Sequence, residues 1–224
     1  MKLTITIIAA LAAMLILPAM GETAQFWYDQ ANSYYITGDF ENAAASYDKA
    51  IELKPNSTVF WNYKGRALAN LGRFDEAISC FDKSIEINTS NPEALNLKAT
   101  ALSLGQKKYS EAIVLFDVIL ESNPSYVDAW IGKGMALGNE GELTGALQCF
   151  EKATIISPQN PSAWNNKGVV LMEQEKYQLA LDCFNRALLI DSTNEAAMKN
   201  RENALQAMNQ EVSSGPSQDT TTMD

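Results

Sequence analysis

The chain has 224 residues, of which 46% are apolar and 20% charged, an ordinary composition for a globular protein. Its 17 Lys+Arg against 27 Asp+Glu give a formal net charge of −10, which disfavours binding to a phosphate backbone, so we expect no nucleic-acid partner. The absence of histidine excludes Ser-His-Asp and Cys-His pairs and imidazole metal ligands.

The first residues of the chain have the features of a targeting segment. Lys2 precedes the uncharged run Leu3–Leu17, Pro18 ends the run, and small residues follow as far as Gly21. This order is typical of a secretory signal peptide, whereas a membrane-spanning helix needs about 20 apolar residues. We therefore expect residues 1–21 to be a signal peptide cut after Gly21, with an uncleaved membrane anchor as the alternative. Either reading places the protein outside the cytoplasm, secreted or anchored to the outer face of the membrane.

From residue 24 onwards the sequence is periodic. One position of the period is occupied by Trp27, Trp61, Leu95, Trp130 and Trp164. A second position is occupied by Ala43, Ala77, Ala112, Ala146 and Ala180, and an aromatic residue follows each of these alanines four residues later. The spacing of 34 or 35 residues defines five units, 24–57, 58–91, 92–126, 127–160 and 161–194.

Each unit is predicted to contain two helices. Trp61, Gly65 and Leu68 share one helical face by their spacing of three and four, and a second such face follows Gly72, which marks a turn. Glycine at positions 65, 134 and 168 removes side-chain bulk, so that two helices can approach closely. Because neither helix can bury its apolar face alone, the units must stack.

These positions resemble the tetratricopeptide repeat, whose signature runs W-x2-L-G-x2-Y, then A-x3-F, then P over 34 residues. The resemblance covers about 170 of the 224 residues. It implies an all-α fold, a right-handed superhelical solenoid of antiparallel helix pairs with a C-terminal capping helix. We expect that cap at 195–211 and a disordered tail at 212–224, which is rich in Ser and Thr.

The sequence departs from the family pattern at four lysines, which stand where the family usually has leucine: Lys64, Lys98, Lys133 and Lys167. We expect their aliphatic stems to pack and their ammonium groups to reach water. A basic binding stripe is the alternative.

Candidate chemical sites are few. Cys80, Cys149 and Cys183 occupy equivalent positions, which stacking keeps about 10 Å apart or more, so we expect unpaired core thiols. The stretch Gly132-x-Gly134-x-x-x-Gly138 lies inside a predicted helix rather than at a strand-to-helix turn, so it does not indicate a phosphate loop.

No catalytic motif occurs, and we expect no enzyme activity, cofactor or metal. The sequons at Asn56 and Asn88 lie in turns, and their glycosylation is left open.

The resemblance implies that the first helix of each pair lines a concave groove that binds protein. The groove positions are Tyr28, Asn32 and Tyr35 in repeat 1, Asn62, Arg66 and Asn70 in repeat 2, Asn96 and Thr100 in repeat 3, Ile131 and Met135 in repeat 4, and Asn165 and Val169 in repeat 5.

Asparagine recurs directly after the Trp or Leu position in repeats 2, 3 and 5. Because an amide both donates and accepts hydrogen bonds, such a row could hold the backbone of an extended peptide. The alternative is that asparagine is simply tolerated on an exposed helix. Ile131 and Met135 interrupt the row and could form an apolar pocket. A clamp for C-terminal carboxylates, known in part of the family, lacks its lysine here, because Tyr28 stands at that position.

The expected function is therefore that of an exported or membrane-tethered scaffold that binds partner proteins or extended peptide segments. Membrane contact is expected only through the N-terminal segment, if it is retained. The alternative is a structural protein that assembles with itself through its aromatic first repeat, where Phe26, Trp27 and Tyr28 stand together.

Overall fold

The structure is a computed structural model that describes residues 23–214. This part of the chain contains eleven α-helices and no strand. The helices are α1 (Ala24–Ile36), α2 (Phe40–Leu53), α3 (Thr58–Asn70), α4 (Phe74–Ile87), α5 (Pro92–Gln106), α6 (Tyr109–Ser122), α7 (Val127–Glu140), α8 (Leu143–Ile156), α9 (Pro161–Glu173), α10 (Tyr177–Ile190) and α11 (Glu195–Ser214).

The chain divides into two compact units, with the boundary after Lys107, inside the third sequence repeat. Unit 1 contains α1–α5 and unit 2 contains α6–α11. Within each unit, consecutive helices pack against one another along the chain. The all-α fold of stacked helix pairs that the sequence predicts is confirmed.

Side-chain caps mark where the first helices of the repeats begin. A hydroxyl or amide oxygen accepts a hydrogen bond from a backbone N–H in the first turn at Thr23, Ser57, Asn91, Asn160 and Asn194. These residues satisfy helix N–H groups that have no partner within the helix. We call α1, α3, α5, α7, α9 and α11 the first-type helices and the others the second-type helices. Five of the six first-type helices therefore begin at a side-chain cap encoded in the repeat.

The close approach of the two helices in a pair depends on glycine, as the sequence predicts. A Cβ atom added at Gly65 would lie 2.4 Å from Phe81 Cε1, and one added at Gly168 would lie 2.4 Å from Phe184 Cε1. Both phenylalanines are buried. The ring of the second helix therefore occupies the space left by the missing side chain of the first.

The tryptophans of repeats 2, 4 and 5 join each of these repeats to the one before it. The indole Nε1 of Trp61 donates to the Pro55 carbonyl oxygen at 2.8 Å, and that of Trp164 donates to the Pro158 carbonyl oxygen at 3.0 Å. Trp130 makes the same bond at 2.9 Å. The Trp and Pro positions of the sequence repeat are thus hydrogen-bond partners across the loop.

Helix α11 packs on the end of unit 2. Its Ala204 is buried in a cluster with Leu171, Ala180 and Phe184. The helix runs to Ser214, so residues 212–214 of the predicted tail are helical, and the rest of that tail lies outside the described residues.

Within residues 23–214, none of the helices is both long and apolar enough to span a membrane. The predicted signal peptide or anchor at 1–21 lies outside the described residues.

Candidate functional site

The four lysines that depart from the family pattern each lie beside a carboxylate from the preceding helix. The pairs are Lys64–Asp48 at 2.5 Å, Lys98–Asp82 at 2.6 Å, Lys133–Asp117 at 2.5 Å and Lys167–Glu151 at 3.6 Å. The acid stands 16 residues before the lysine in every pair. The lysine side chains are 20–26% exposed, as expected for packed stems, but their ammonium groups pair with half-exposed carboxylates and are not free in water. Because each charge is paired, a basic binding stripe is not supported. The repeated 16-residue spacing is a signal in the sequence that could have revealed these pairs.

Two predicted groove residues of unit 1 take part in its internal packing. The Tyr28 ring stacks on Phe60 with centroids 5.2 Å apart and meets Tyr63 edge-on at 5.6 Å. The amide oxygen of Asn32 accepts a hydrogen bond of 2.6 Å from the Tyr47 hydroxyl. Burial raises the pKa of Tyr47 far above its usual value, which keeps this hydroxyl a donor. Tyr28 and Asn32 therefore hold in place the side chains of the first-helix surface of unit 1, formed by α1, α3 and α5.

Arg66, on α3, is the positively charged residue among the predicted groove positions. Its guanidinium lies 5.2 Å from the ring centroid of Tyr63 and 5.8 Å from that of Tyr35. The side-chain amide of Asn70 donates to the Tyr35 hydroxyl at 3.0 Å and to the Arg66 carbonyl oxygen at 2.8 Å. Rings beneath the guanidinium hold it in place, and no carboxylate in the described residues forms an ion pair with it.

A pocket of about 340 Å³ opens beside Arg66, and we call it the unit 1 pocket. It is lined by Tyr35, Arg66, Ala69, Asn70, Phe74, Phe81, Leu97, Thr100, Ala101 and Leu104. Four of these residues, from the successive first helices α1, α3 and α5, are predicted groove positions. The lining is mostly apolar, with the Arg66 cation among it, and Leu104 is 58% exposed. Such a pocket can take an apolar side chain next to an acceptor group.

A second pocket, of about 220 Å³, lies within unit 2, and we call it the unit 2 pocket. It is lined by Gly134, Met135, Gly138, Asn139, Phe150, Asn166, Val169, Val170 and Glu173. The predicted residues Met135 and Val169 line this pocket together with the polar residues Asn139, Asn166 and Glu173. Ile131 does not line it and instead packs in the cluster of Ala146, Phe150 and Val170, which corrects its expected role.

The predicted asparagine row is not displayed as an open surface. Asn62 is 1% exposed, and neither of its amide atoms has a hydrogen-bond partner. The amide oxygen of Asn96 is likewise buried without a partner. The amide oxygen of Asn165 accepts a 3.0 Å hydrogen bond from Asn200. Because Asn62 lies under other side chains in this conformation, the expectation that it faces a groove is corrected.

The three cysteines are buried and unpaired, as core residues. Desolvation raises the pKa of Cys80 and of Cys149 to about 11, and it raises the pKa of Cys183 as well. Since the thiolate is the reactive form, these thiols are poor nucleophiles and poor metal ligands. The described residues contain no group of three or more Cys, Asp or Glu that could hold a metal ion.

Helix pairs that stack in sequence, with pockets between their first helices, are typical of an α-solenoid repeat protein. Tetratricopeptide repeat models match residues 8–58, 28–92, 63–127 and 161–194, and a further TPR repeat model matches 134–175. The chain belongs to the tetratricopeptide repeat family, which confirms the resemblance drawn from the sequence.

Solved structures of known proteins share the fold. MamA from Desulfovibrio magneticus RS-1 is 21% identical, with a TM-score of 0.64 over 79% of this chain and 99% of that chain. YrrB, described as a TPR protein with an unusual peptide-binding site, is 26% identical, with a TM-score of 0.57 over 81% of this chain and 93% of that chain. PilW, a type IV pilus biogenesis factor, is 19% identical, with a TM-score of 0.71 over 88% of this chain and 95% of that chain. No curated protein sequence matches the chain.

Proposed function

We propose that the protein is a scaffold that binds extended segments of partner proteins on the first-helix surfaces of its two units. The observation that carries this proposal is the unit 1 pocket, where side chains from three successive first helices converge around Arg66. Tetratricopeptide repeat proteins are generally binding scaffolds, and the peptide-binding site described for YrrB supports the same role here.

The chemistry of the unit 1 pocket suits a peptide better than a small polar ligand. Its apolar walls gain by covering a side chain, at about 25 cal/mol per Å² of apolar surface removed from water. The Arg66 guanidinium then supplies donors at one edge for a backbone carbonyl of the bound segment, and the amide oxygen of Asn70, whose two N–H bonds are used within unit 1, can accept from a backbone N–H.

The test is to select 12-residue peptides from a phage-displayed library on the protein and to measure their affinity by fluorescence polarisation. Leu104→Glu places a charge in the unit 1 pocket, and Leu189→Glu is the control, because Leu189 lies on second-type helix α10 and is 75% exposed. We expect Leu104→Glu to weaken at least one class of selected peptides tenfold or more, equal to about 1.4 kcal/mol. Equal binding by both variants would contradict a role for this pocket.

We also propose that binding takes place outside the cytoplasm, because residues 1–21 combine a basic start, a short apolar run and small residues before Gly21. The intact mass of the protein from its native source tests this. A chain that begins near Glu22 supports cleavage, and an uncleaved chain in the membrane fraction supports an anchor. An uncleaved chain in the soluble cytoplasmic fraction would contradict the proposal.

A second candidate function is self-assembly through α1, and one observation favours it. Phe26 is 43% exposed, whereas the residues at the same position of the later first-type helices are buried, at 6% for Phe60 and 0% for Ala94, Ala129, Ala163 and Ala197. In those repeats a preceding second helix covers the position, so the surface around Phe26 is suited to a partner surface. Sedimentation of residues 22–224 with and without Phe26→Ser tests this. We expect the parent to associate and the variant to dissociate, and a parent that is monomeric at micromolar concentration would contradict self-assembly.

A further inference from the structure

The shape of the unit 2 pocket comes from one glycine. A Cβ atom added at Gly134 would lie 2.9 Å from the Phe150 ring, so that position is filled by the ring. A Cβ atom added at Gly138 would meet only the Ala146 Cβ, at 3.8 Å, so the space beside Gly138 is open. The residues at this position of the other repeats are Tyr35, Ala69, Ser103 and Met172. Repeat 4 therefore leaves out a side chain that the other repeats possess.

The size and lining of the unit 2 pocket suit one apolar side chain. The Phe150 ring, 2% exposed, forms the apolar part of the lining together with Met135 and Val169, while Asn139, Asn166 and Glu173 form the polar part. An apolar cavity of about 150 Å³ holds a benzene molecule, so a pocket of about 220 Å³ has room for a leucine or phenylalanine side chain. Met135 is flexible enough to adapt to either.

The charge at the edge of the unit 2 pocket is negative. Glu173 is the charged residue among the lining residues, it is exposed, and no ion pair within residues 23–214 engages its carboxylate. The chain as a whole carries a net charge of −10. A cationic group on a ligand would therefore be attracted to this edge and would gain a partner there.

The distance between the apolar wall and the carboxylate selects a ligand spacing. Glu173 follows Val169 by four residues on α9, which is about 6 Å along the helix axis. In an extended peptide, side chains two residues apart lie on the same face, separated by about 6.6 Å. The two spacings match for a segment that runs along α9, so one such segment can contact both groups.

We propose that the unit 2 pocket binds an extended segment of a partner protein in which an apolar side chain of leucine or phenylalanine size stands two residues from a lysine or arginine. This inference rests on the proposed function and specifies the partner of one of the two surfaces.

The experiment selects phage-displayed 12-residue peptides on the full chain and measures the affinity of the fluorescein-labelled peptides by polarisation. Four variants are compared: Gly138→Leu fills the unit 2 pocket, Gly138→Ala adds one methyl group in open space, Glu173→Gln removes the charge, and Leu104→Glu alters the unit 1 pocket. Circular dichroism and thermal melting check the fold of each variant, and we expect Gly138→Leu to melt no lower than the parent because glycine in a helix interior is unfavourable.

The expected result is enrichment of peptides with an apolar and a basic residue separated by one residue. Gly138→Leu should weaken them at least tenfold and Gly138→Ala by less than threefold. Glu173→Gln should weaken them about threefold and reduce the salt dependence of binding, while Leu104→Glu leaves their affinity unchanged.

Selected peptides that bind Gly138→Leu as tightly as the parent would overturn the inference. If the same peptides lose affinity in Leu104→Glu, the unit 1 pocket is their site, and the proposed function stands without this inference. If no peptide is enriched on the folded chain, the inference and the proposed function both fail.

Discussion

At the scale of single residues, Asn62 and the cysteines show how burial sets the chemistry of a side chain. The Asn62 amide is buried with both polar atoms unpaired, which costs about 1–3 kcal/mol relative to a satisfied group. The three thiols are buried without such a cost, because a thiol is a weak hydrogen-bonding group. Both features depend on position within the helix pair.

We predict that Asn62→Ile stabilises the protein by about 1–2 kcal/mol, because it removes an unpaired buried amide. Ile131 occupies the same position in repeat 4 and packs in a core cluster there, which shows that isoleucine suits the site. Urea denaturation measures the change. In the matched control, Asn165→Ile removes the hydrogen bond from Asn200, and we expect no gain in stability there. A loss of stability in Asn62→Ile would show that this amide is satisfied in solution.

The thiols give a prediction about pH. Because the pKa of Cys80 and Cys149 is about 11 in the folded protein and lower in the unfolded chain, the unfolded chain loses these protons first as the pH rises. The stability they contribute is fully present below about pH 8.5 and is lost as the pH rises towards 11. We expect this decrease to shrink in Cys80→Ala/Cys149→Ala. An equal pH slope in parent and double variant would contradict it.

At the scale of elements, each helix pair turns at a residue with positive φ. Three of these residues are glycines, with φ of 80° at Gly38, 75° at Gly72 and 88° at Gly141, while Lys107 and Glu175 adopt 53° and 60°. A residue with a side chain is strained in this conformation, whereas glycine is not. The turn geometry is therefore common to the pairs, although the residue type is not.

We predict that Glu175→Gly stabilises unit 2 by up to about 1 kcal/mol, since it removes the cost of left-handed backbone for a residue with a side chain. Gly72→Ala is the reverse change in unit 1, and we expect it to destabilise by about 1 kcal/mol or more. Chemical denaturation measures both. Destabilisation by Glu175→Gly would mean that the side chain contributes more than the backbone strain costs.

The lysine–carboxylate pairs link consecutive helices, but they are not expected to be a main source of stability. In Lys98–Asp82 the lysine side chain is 26% exposed and the aspartate 43% exposed, so water and salt screen the attraction. We predict a coupling energy of about 0.2–1 kcal/mol from a double-mutant cycle with Lys98→Met and Asp82→Ala, decreasing at 1 M salt. A coupling above about 2 kcal/mol would contradict this picture.

At the scale of the whole molecule, the compact units and the sequence repeats do not coincide. In repeat 3 the turn residue Lys107 stands twelve positions after Leu95, whereas Gly72 stands eleven positions after Trp61. The unit boundary follows directly after Lys107. The extra residue therefore lies where unit 1 ends.

We predict that residues 108–224 fold without the rest of the chain. The glycine–phenylalanine contacts Gly132–Phe116, Gly134–Phe150 and Gly168–Phe184 all lie inside unit 2, and α11 covers its end. Circular dichroism and a cooperative urea transition of this fragment measure the outcome. A fragment without helix signal would show that unit 2 requires unit 1.

Much of the fold was predictable because it is encoded by local spacing. Tryptophan, alanine and phenylalanine recur every 34 or 35 residues, and the intervals of three and four between apolar residues place them on one face of a helix. The need of each helix to bury that face then requires stacking. The glycines opposite Phe81, Phe150 and Phe184 could also be inferred, since each belongs to the same helix pair as its phenylalanine.

Only the tertiary structure shows whether a predicted groove side chain is exposed or buried, because that depends on which neighbouring helix covers it. Asn62 is buried although its position in the pattern indicates a groove, and Ile131 belongs to the core. The carboxylate partners of the lysines and the open space beside Gly138 likewise involve residues of different helices. The sequence by itself determined the repeat and its helices through contacts within a helix or a pair. The pockets and the charged pairs arise from packing between helices, which spacing along one helix does not specify.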